Sequence, residues 1–138
     1  MKSIMVINSK GGSGKTTVSV NLAAYCAQHG LQTTLVDLDP QESSTHWLNA
    51  RPVSKANIKG TKNFNKPLKS SKNSVVIYDV PAAIYGSRLD TYVKKADMII
   101  VPVLPSPIDM KAAQVFIQRL RSMGPIIRNR IKVGLVAN

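Results

Sequence analysis

Short apolar runs alternate with longer amphipathic stretches along most of the chain. Five runs have the length and composition of buried strands, and we predict strands over residues 4–8, 33–39, 74–79, 98–103 and 132–138. The spacing of apolar residues between them predicts a short polar helix around Trp47 and longer helices over residues 15–29, 87–96 and from 107 onward. Strands that alternate with helices predict an α/β fold, with a mostly parallel twisted sheet and helices on both faces.

The helix after the fourth predicted strand has a clear start signal. Ser106 is predicted as the N-cap, and Pro107 fits the first helical position. Asp109 lies three residues after the cap, where its side chain can return a hydrogen bond. The signal fixes the start of this helix independently of the apolar periodicity behind it.

Residues 51–74 interrupt the pattern. They contain several lysines and one arginine but no acidic residue, so they can bury little apolar surface. We predict an exposed, loop-rich insert with at most one short strand and one short helix. The whole chain, at 138 residues and 43% hydrophobic composition, is long enough for one α/β core, and we predict a single domain over residues 1–138.

The charge of the chain predicts the kind of partner that it binds. The 19 Lys and Arg residues outnumber the 7 Asp and Glu residues, giving a net charge of +12. Such a field attracts a polyanion, either nucleic acid or acidic lipid. Within the insert and on the helix after residue 107, the candidate DNA contacts are Lys55, Lys59, Lys62, Lys66, Arg119 and Arg121. The alternative for the insert is a solvated linker that does not touch DNA.

No stretch of the sequence approaches the roughly 18 to 20 apolar residues of a membrane span, and the N-terminus lacks a secretory signal pattern. We therefore expect a cytoplasmic protein without a visible stable membrane anchor. The single cysteine, Cys26, falls on the apolar side of a predicted helix, so we interpret it as a core residue.

A glycine-rich segment, SKGGSGKTT at residues 9–17, joins the first predicted strand to the first helix. This order of strand, turn and helix directs backbone N–H groups toward a phosphate at the positive end of the helix dipole. Lys15 can reach the β- and γ-phosphates, and the Thr16 hydroxyl can bind Mg²⁺. Ser9 stands where the general pattern has glycine, but the flanking strand and helix favour phosphate binding.

Carboxylates follow two of the predicted strands. Asp79 ends an apolar strand, where a buried carboxylate is costly unless a metal or hydrogen bonds stabilise it. Asp37 and Asp39 end another strand two residues apart, so we predict that both side chains leave the same side at its carboxyl edge. One of them can support a Mg²⁺ shell while the other holds a water molecule. The alternative is that all three are turn or cap residues.

These motifs resemble the ParA/MinD partition ATPases, P-loop proteins with a deviant Walker A motif. The likeness is carried by KGGSGKTT, VDLDPQ at 36–41, VVIYD at 75–79, VPVLPSPID at 101–109 and GLVAN at the end. It is strongest for the short members without an added N-terminal DNA-reading domain, including those that position plasmids and microcompartments. Family members usually continue beyond the position of Asn138, so the resemblance implies a fragment or a C-terminally shortened form.

The resemblance implies a role for each motif residue. Lys10, which phosphate binding within one subunit does not require, would cross to the partner's nucleotide in an ATP-bound homodimer. Lys15 and Thr16 would bind phosphate and Mg²⁺, Asp39 would position the attacking water, and Asp37 and Asp79 would support Mg²⁺. The remaining nucleotide contacts implied by the resemblance are Gly11, Gly12, Ser13, Gly14, Thr17 and Asn138, with Asn138 at the adenine.

The implied function is that of an ATPase that positions a plasmid, a chromosome region or a microcompartment. Family members bind DNA non-specifically as the ATP dimer, which places them on the nucleoid. A ParB-like or other small adaptor protein then stimulates their slow hydrolysis of ATP.

Three other functions use related loops. A MinD-like membrane cycle is one alternative; it uses a C-terminal amphipathic helix, which is not present within residues 1–138 and which a longer chain would have to supply. A nitrogenase-iron-protein-like redox role would require cluster cysteines, which Cys26 alone cannot supply. A P-loop phosphotransferase acting on a small molecule remains the alternative from a different class.

Overall fold

The computed structural model of the protein describes residues 1–65 and 71–138. Six strands are present in this part of the chain: β1 (Lys2–Val6), β2 (Gln32–Asp37), β3 (Ile58–Thr61), β4 (Ser74–Asp79), β5 (Met98–Val103) and β6 (Lys132–Ala137). They form one sheet in the order β3-β2-β4-β1-β5-β6, and every neighbouring pair is parallel. The predicted α/β fold with a parallel sheet is confirmed.

Helices cover both faces of the sheet. They are α1 (Lys15–Gln28), α2 (Ser43–Asn49), α3 (Gly86–Val93), α4 (Pro107–Arg121) and α5 (Gly124–Ile127). One core lies beneath α1 and contains Ala23, Ile77 and the buried Cys26. The other lies beneath α3 and α4 and contains Leu89 and Phe116. Each face therefore has its own apolar layer, as a sheet buried on both sides requires.

Several boundaries differ from the prediction. β2 ends at Asp37 and not at residue 39, because the chain turns away there: the Asp39 N–H donates to Asp37 Oδ1 at 3.1 Å. Asp39 therefore lies in the loop after β2, and the predicted end of the strand at residue 39 is wrong. The first strand spans Lys2–Val6 and not 4–8, and α3 ends at Val93 and not at residue 96.

Within the described residues of the segment 51–74, one short strand, β3, lies at the edge of the sheet. Lys66, one of the candidate DNA contacts, lies outside the described residues. The short helix α5 is absent from the prediction because four residues are too few to show helical periodicity. Its one available signal is Pro125, close to the helix start.

The predicted start of α4 is confirmed. Ser106 has an extended backbone, and its hydroxyl oxygen accepts a hydrogen bond from the Asp109 N–H at 3.1 Å. The Asp109 carboxylate in turn accepts a hydrogen bond from the Ser106 hydroxyl. The cap and the carboxylate therefore hold each other at the first turn, at the same edge of the sheet as the phosphate-loop segment.

The packing of α3 can be tested by truncating Leu89, which is fully buried. We expect Leu89→Ala to lower the free energy of unfolding by about 2–5 kcal/mol, because it removes apolar contacts and leaves a cavity. The matched control is Leu135→Ala, since Leu135 is 60% exposed in β6. Urea denaturation of the two variants measures the difference, and equal losses for both would contradict this account of the core.

Candidate functional site

The loop between β1 and α1 forms the centre of the site. Gly12 and Gly14 have φ values of 71° and 83°, a left-handed conformation that glycine adopts without strain. Gly14 is also the N-cap of α1 and has no side chain to cap it. The first N–H groups of α1 are therefore available to an anion, and the helix dipole favours negative charge there.

The end of β6 lies directly against this loop. The Asn138 N–H donates to Val103 O at 3.0 Å, and Asn138 Nδ2 donates to Ser13 O at 3.3 Å. A Cβ atom added at Gly14 would lie 1.8 Å from Asn138 Nδ2, so no larger residue fits there without displacing Asn138. The structure thus brings together three residues that the resemblance assigns to nucleotide binding.

Lys15 is a buried cation, only 7% exposed. Its Nζ donates to Lys10 O at 3.0 Å, so the side chain folds back beneath the loop. Burial lowers the pKa of Lys15, and the nearby carboxylates of Asp79 and Asp39 oppose that shift. Lys15, Asp39 and Asp79, predicted from three separate motifs, therefore share one electrostatic environment.

Asp79 ends β4 and is 1% exposed. Its Oδ1 accepts a hydrogen bond from Ser19 Oγ at 3.1 Å, whereas its Oδ2 is buried and has no hydrogen-bond partner among the described residues. Burial raises the pKa of Asp79, and the hydroxyls of Thr16, Ser19 and Ser44 oppose the shift. A carboxylate with one free oxygen beside a threonine hydroxyl is a donor set that suits Mg²⁺.

Over residues 1–65 and 71–138, no three His, Cys, Asp or Glu side chains are grouped closely enough to hold a metal by themselves. A magnesium ion at Thr16 and Asp79 would thus need further oxygen ligands. Phosphate oxygens and water are the ligands that Mg²⁺ usually takes in nucleotide sites. The residues present therefore fit an ion that binds together with a phosphate ligand.

Asp37 and Asp39 have different surroundings. The buried Asp37 carboxylate accepts hydrogen bonds from the Asp39 N–H, the Thr45 N–H and the Thr45 hydroxyl, the last two at 2.8 Å. It thereby ties the loop after β2 to the first turn of α2. Asp39 Oδ1 accepts from the Gln41 N–H at 2.9 Å and is close enough to Lys15 to affect its pKa.

Some site residues were not anticipated from the sequence. Asn8 is 3% exposed; its Nδ2 donates to Pro102 O at 2.7 Å and its Oδ1 accepts from the Lys10 N–H at 3.2 Å. It joins the phosphate loop to β5. A polar residue directly after a buried strand was the available signal. Ser19 and Thr45 gave no such signal. The partner of Ser19 is Asp79, 60 residues away in sequence, and the partner of Thr45 is Asp37, 8 residues away.

Lys10 makes an ion pair within the chain. Its Nζ lies 2.6 Å from Asp109 Oδ1, and the two side chains are 38% and 11% exposed. Contact with Lys10 is the main reason that the pKa of Asp109 is lowered, and the hydrogen bond from Ser106 lowers it further. In this structure Lys10 therefore lies at the start of α4, while Lys15 takes the position beneath the loop.

Among the described residues, the candidate DNA contacts are exposed but do not form one patch. Lys55 and Lys59 lie on or beside the edge strand β3, and Lys62 is paired with Glu42 at 2.5 Å. Arg119 and Arg121 lie at the end of α4, which packs against β5, four positions from β3 in the sheet.

In the described ranges, no helix is both long and apolar enough to cross a membrane.

Comparison with known proteins agrees with this geometry. A family profile described as an AAA domain matches residues 1–133. The maintenance of carboxysome distribution protein A of Gloeobacter kilaueensis is 34% identical over 78% of this chain and 51% of its own length. Its namesake in Halothiobacillus neapolitanus is 31% identical over 98% of this chain and 65% of its own length. The chain thus spans between half and two thirds of these relatives.

Solved structures share the fold at low sequence identity. The ATP complex of McdA from Cyanothece has a TM-score of 0.73 and 19% identity, covering 99% of this chain and 70% of that one. The pNOB8 ParA bound to nonspecific DNA has a TM-score of 0.69 and 15% identity, covering 89% of this chain and 60% of that one. The profile match shows that the chain belongs to the AAA-domain family, and its relatives group it with the ParA-like partition proteins of that family.

Proposed function

We propose that the chain is an ATPase that dimerises on ATP, binds DNA without sequence preference and positions a cargo. The observation that carries the proposal is the buried Lys15 and Asp79 beside the uncapped start of α1, where Lys15 Nζ bonds to Lys10 O and Asp79 bonds to Ser19 of α1. Asp39 lies in the loop after the neighbouring strand β2. A buried cation, two carboxylates and free backbone N–H groups suit a polyphosphate with a divalent ion. Because the chain belongs to this family, the phosphate ligand of the site is proposed to be ATP.

Each part of the loop has a proposed task. The N–H groups of residues 11–17 bind the phosphates, Lys15 neutralises them, and Asn138 contacts the adenine. Thr16 and Asp79 hold Mg²⁺, which when bound neutralises phosphate charge, and Asp37 supports them by fixing the adjacent loop. In hydrolysis, water attacks the γ-phosphorus, the bond to the β–γ bridging oxygen breaks, and ADP and phosphate leave. Asp39 orients that water.

Lys10 is proposed to act across the dimer. Its ion pair with Asp109 occupies the ammonium group within one subunit, so the side chain must leave Asp109 before it can contact the partner's nucleotide. ATP supplies a competing anion, the γ-phosphate, at the place where the second subunit docks. The dimer would then gain one new charge-assisted contact at each of its two symmetry-related sites.

DNA binding and cargo positioning are proposed from the charge and the relatives. The net charge of +12 and the exposed basic residues of β3 and α4 suit a polyanion. The relatives are named for carboxysome distribution, and a structural neighbour is bound to nonspecific DNA. The ATP dimer would associate with the nucleoid and carry a plasmid, chromosome region or microcompartment, and a ParB-like or other small adaptor would stimulate hydrolysis.

Asp39→Ala tests the hydrolytic assignment. We expect ATP affinity to be retained and single-turnover hydrolysis to fall about 100-fold or more, because the attacking water loses its positioning group. Rapid-quench hydrolysis and a nucleotide titration measure the two effects. Asp90→Ala is the control, since Asp90 is an exposed carboxylate in α3. Hydrolysis by Asp39→Ala at the rate of Asp90→Ala would show that the assignment is wrong.

Lys10 and Asp109 are expected to act on dimerisation in opposite directions. Lys10→Ala should weaken dimerisation about tenfold or more, because a charge-assisted bond is lost at each nucleotide. Asp109→Asn should strengthen it several-fold, because Lys10 is released. Sedimentation with Mg²⁺ and a slowly hydrolysed ATP analogue measures both variants. Asp90→Asn controls for the change in net charge.

Two results would contradict the proposed role of Lys10 across the dimer. If Lys10→Ala dimerises as the wild type does, Lys10 makes no contact with the partner's nucleotide. If Asp109→Asn and Asp90→Asn dimerise equally, the pair with Asp109 does not restrain Lys10. A nucleotide titration in parallel separates loss of dimerisation from loss of ATP binding.

A further inference from the structure

The loop between β2 and α2 contains a strained residue next to Asp39. Glu42 has φ 54° and ψ 27°, a left-handed conformation that residues with a side chain rarely adopt. It is the N-cap of α2, but no side-chain hydrogen bond caps the helix there. Strained backbone of this kind persists only where surrounding contacts hold it.

The same turn fixes Asp39. The Glu42 N–H donates to Asp39 O, and the Gln41 N–H donates to Asp39 Oδ1, both at 2.9 Å. Glu42 O then accepts from the His46 N–H at 2.9 Å in the first turn of α2. A change in the backbone of Glu42 therefore changes the hydrogen bond that orients the Asp39 carboxylate.

Lys62 is the contact that holds the Glu42 side chain. Its Nζ lies 2.5 Å from Glu42 Oε2, with side-chain exposures of 55% and 40%. The parallel pairing of Val36 with Thr61 places the end of β3 beside the end of β2, which brings Lys62 to the loop. Residues 51–74 contain no acid, so any anion that Lys62 binds must come from outside its own segment.

We propose that Glu42 and Lys62 are positioning residues for Asp39, and that DNA phosphate competes with Glu42 for Lys62 and so loosens the turn. This inference rests on the proposed function, because it assigns the regulation of the same hydrolytic residue. A duplex carries one negative charge per roughly 1.7 Å, so DNA bound at the basic insert presents many competitors for one ammonium group. Binding of DNA and the position of Asp39 are then linked, and the link is reciprocal.

The size of the effect follows from the exposure of the pair. Exposed ion pairs change equilibria by about two- to fivefold, and salt screens them. DNA should therefore modulate the Asp39 loop and not switch it fully on or off. The ion pair with Glu42 gives Lys62 a role that Lys55 and Lys59 do not share. Both of these lysines are exposed and make no ion pair within the described residues.

Amide hydrogen exchange at Gln41 tests the proposal, because this N–H bonds directly to Asp39 Oδ1. The full chain is measured by NMR with Mg²⁺ and a slowly hydrolysed ATP analogue, with and without a random-sequence DNA duplex. In the wild type, saturating DNA should raise exchange about two- to fivefold. In Lys94→Gln, the matched control at an exposed lysine outside the candidate DNA contacts, saturating DNA should raise exchange equally.

Three variants separate the ion pair from the backbone strain. Glu42→Gln and Lys62→Gln should show fast exchange without DNA and no further response to it, since the pair is already broken. Glu42→Gly should exchange as slowly as the wild type and also fail to respond, because glycine adopts the left-handed turn without strain. Single-turnover hydrolysis should be slower in the variants whose Gln41 amide exchanges faster. Glu42→Gln should be slowed about two- to fivefold, and Glu42→Gly should be near the wild type.

The outcomes distinguish this inference from the proposed function. If the wild type binds DNA and Gln41 exchange does not change, the competition is wrong while the DNA-binding ATPase stands. If Lys62→Gln responds to DNA as the wild type does, Lys62 is not the competing cation. If the wild type does not bind DNA under any nucleotide condition, both the inference and the proposed function are overturned.

Discussion

The buried ammonium group of Lys15 is the interaction on which the rest of the site depends. A cation this far from water is stable only near negative charge and hydrogen-bond acceptors, and here these are Lys10 O, Asp79 and Asp39. The parallel sheet brings them together, because the carboxyl ends of β1, β2 and β4 meet at one edge. A bound polyphosphate would complete this arrangement, since it supplies the negative charge that a buried lysine and an uncapped helix start both favour.

Two ion pairs connect the edge of the site to the rest of the molecule. Lys10 pairs with Asp109 at the start of α4, and Lys62 pairs with Glu42 in the loop that contains Asp39. Asp109 lies in the first turn of α4 and Glu42 is the N-cap of α2. Both lysines belong to segments with a proposed anionic partner, ATP for one and DNA for the other. Exchange of an internal carboxylate for an external phosphate is therefore a common physical step that could link both ligands to the site.

The sequence was sufficient to predict the fold and the glycine turn between β1 and α1, because apolar periodicity and glycine spacing are local signals. The cap at Ser106 was predictable for the same reason. The position of Asp39 was not, since the end of β2 depends on the hydrogen bond from the Asp39 N–H to Asp37. The partners of Lys10 and Lys62 were also beyond the sequence, because Asp109 and Glu42 approach them only through the arrangement of strands. Contacts between residues far apart in the chain leave no periodic pattern to read.

The central claim is that ATP joins two copies of this chain through the phosphate loop. The most direct test is the mass of the wild-type chain in solution, measured by sedimentation with Mg²⁺ and either a slowly hydrolysed ATP analogue or ADP at the same protein concentration. The account predicts a dimer with the ATP analogue and a monomer with ADP, because only the triphosphate presents a γ-phosphate to Lys10 of the second copy. The same mass with both nucleotides, when a titration shows that both are bound, would contradict it.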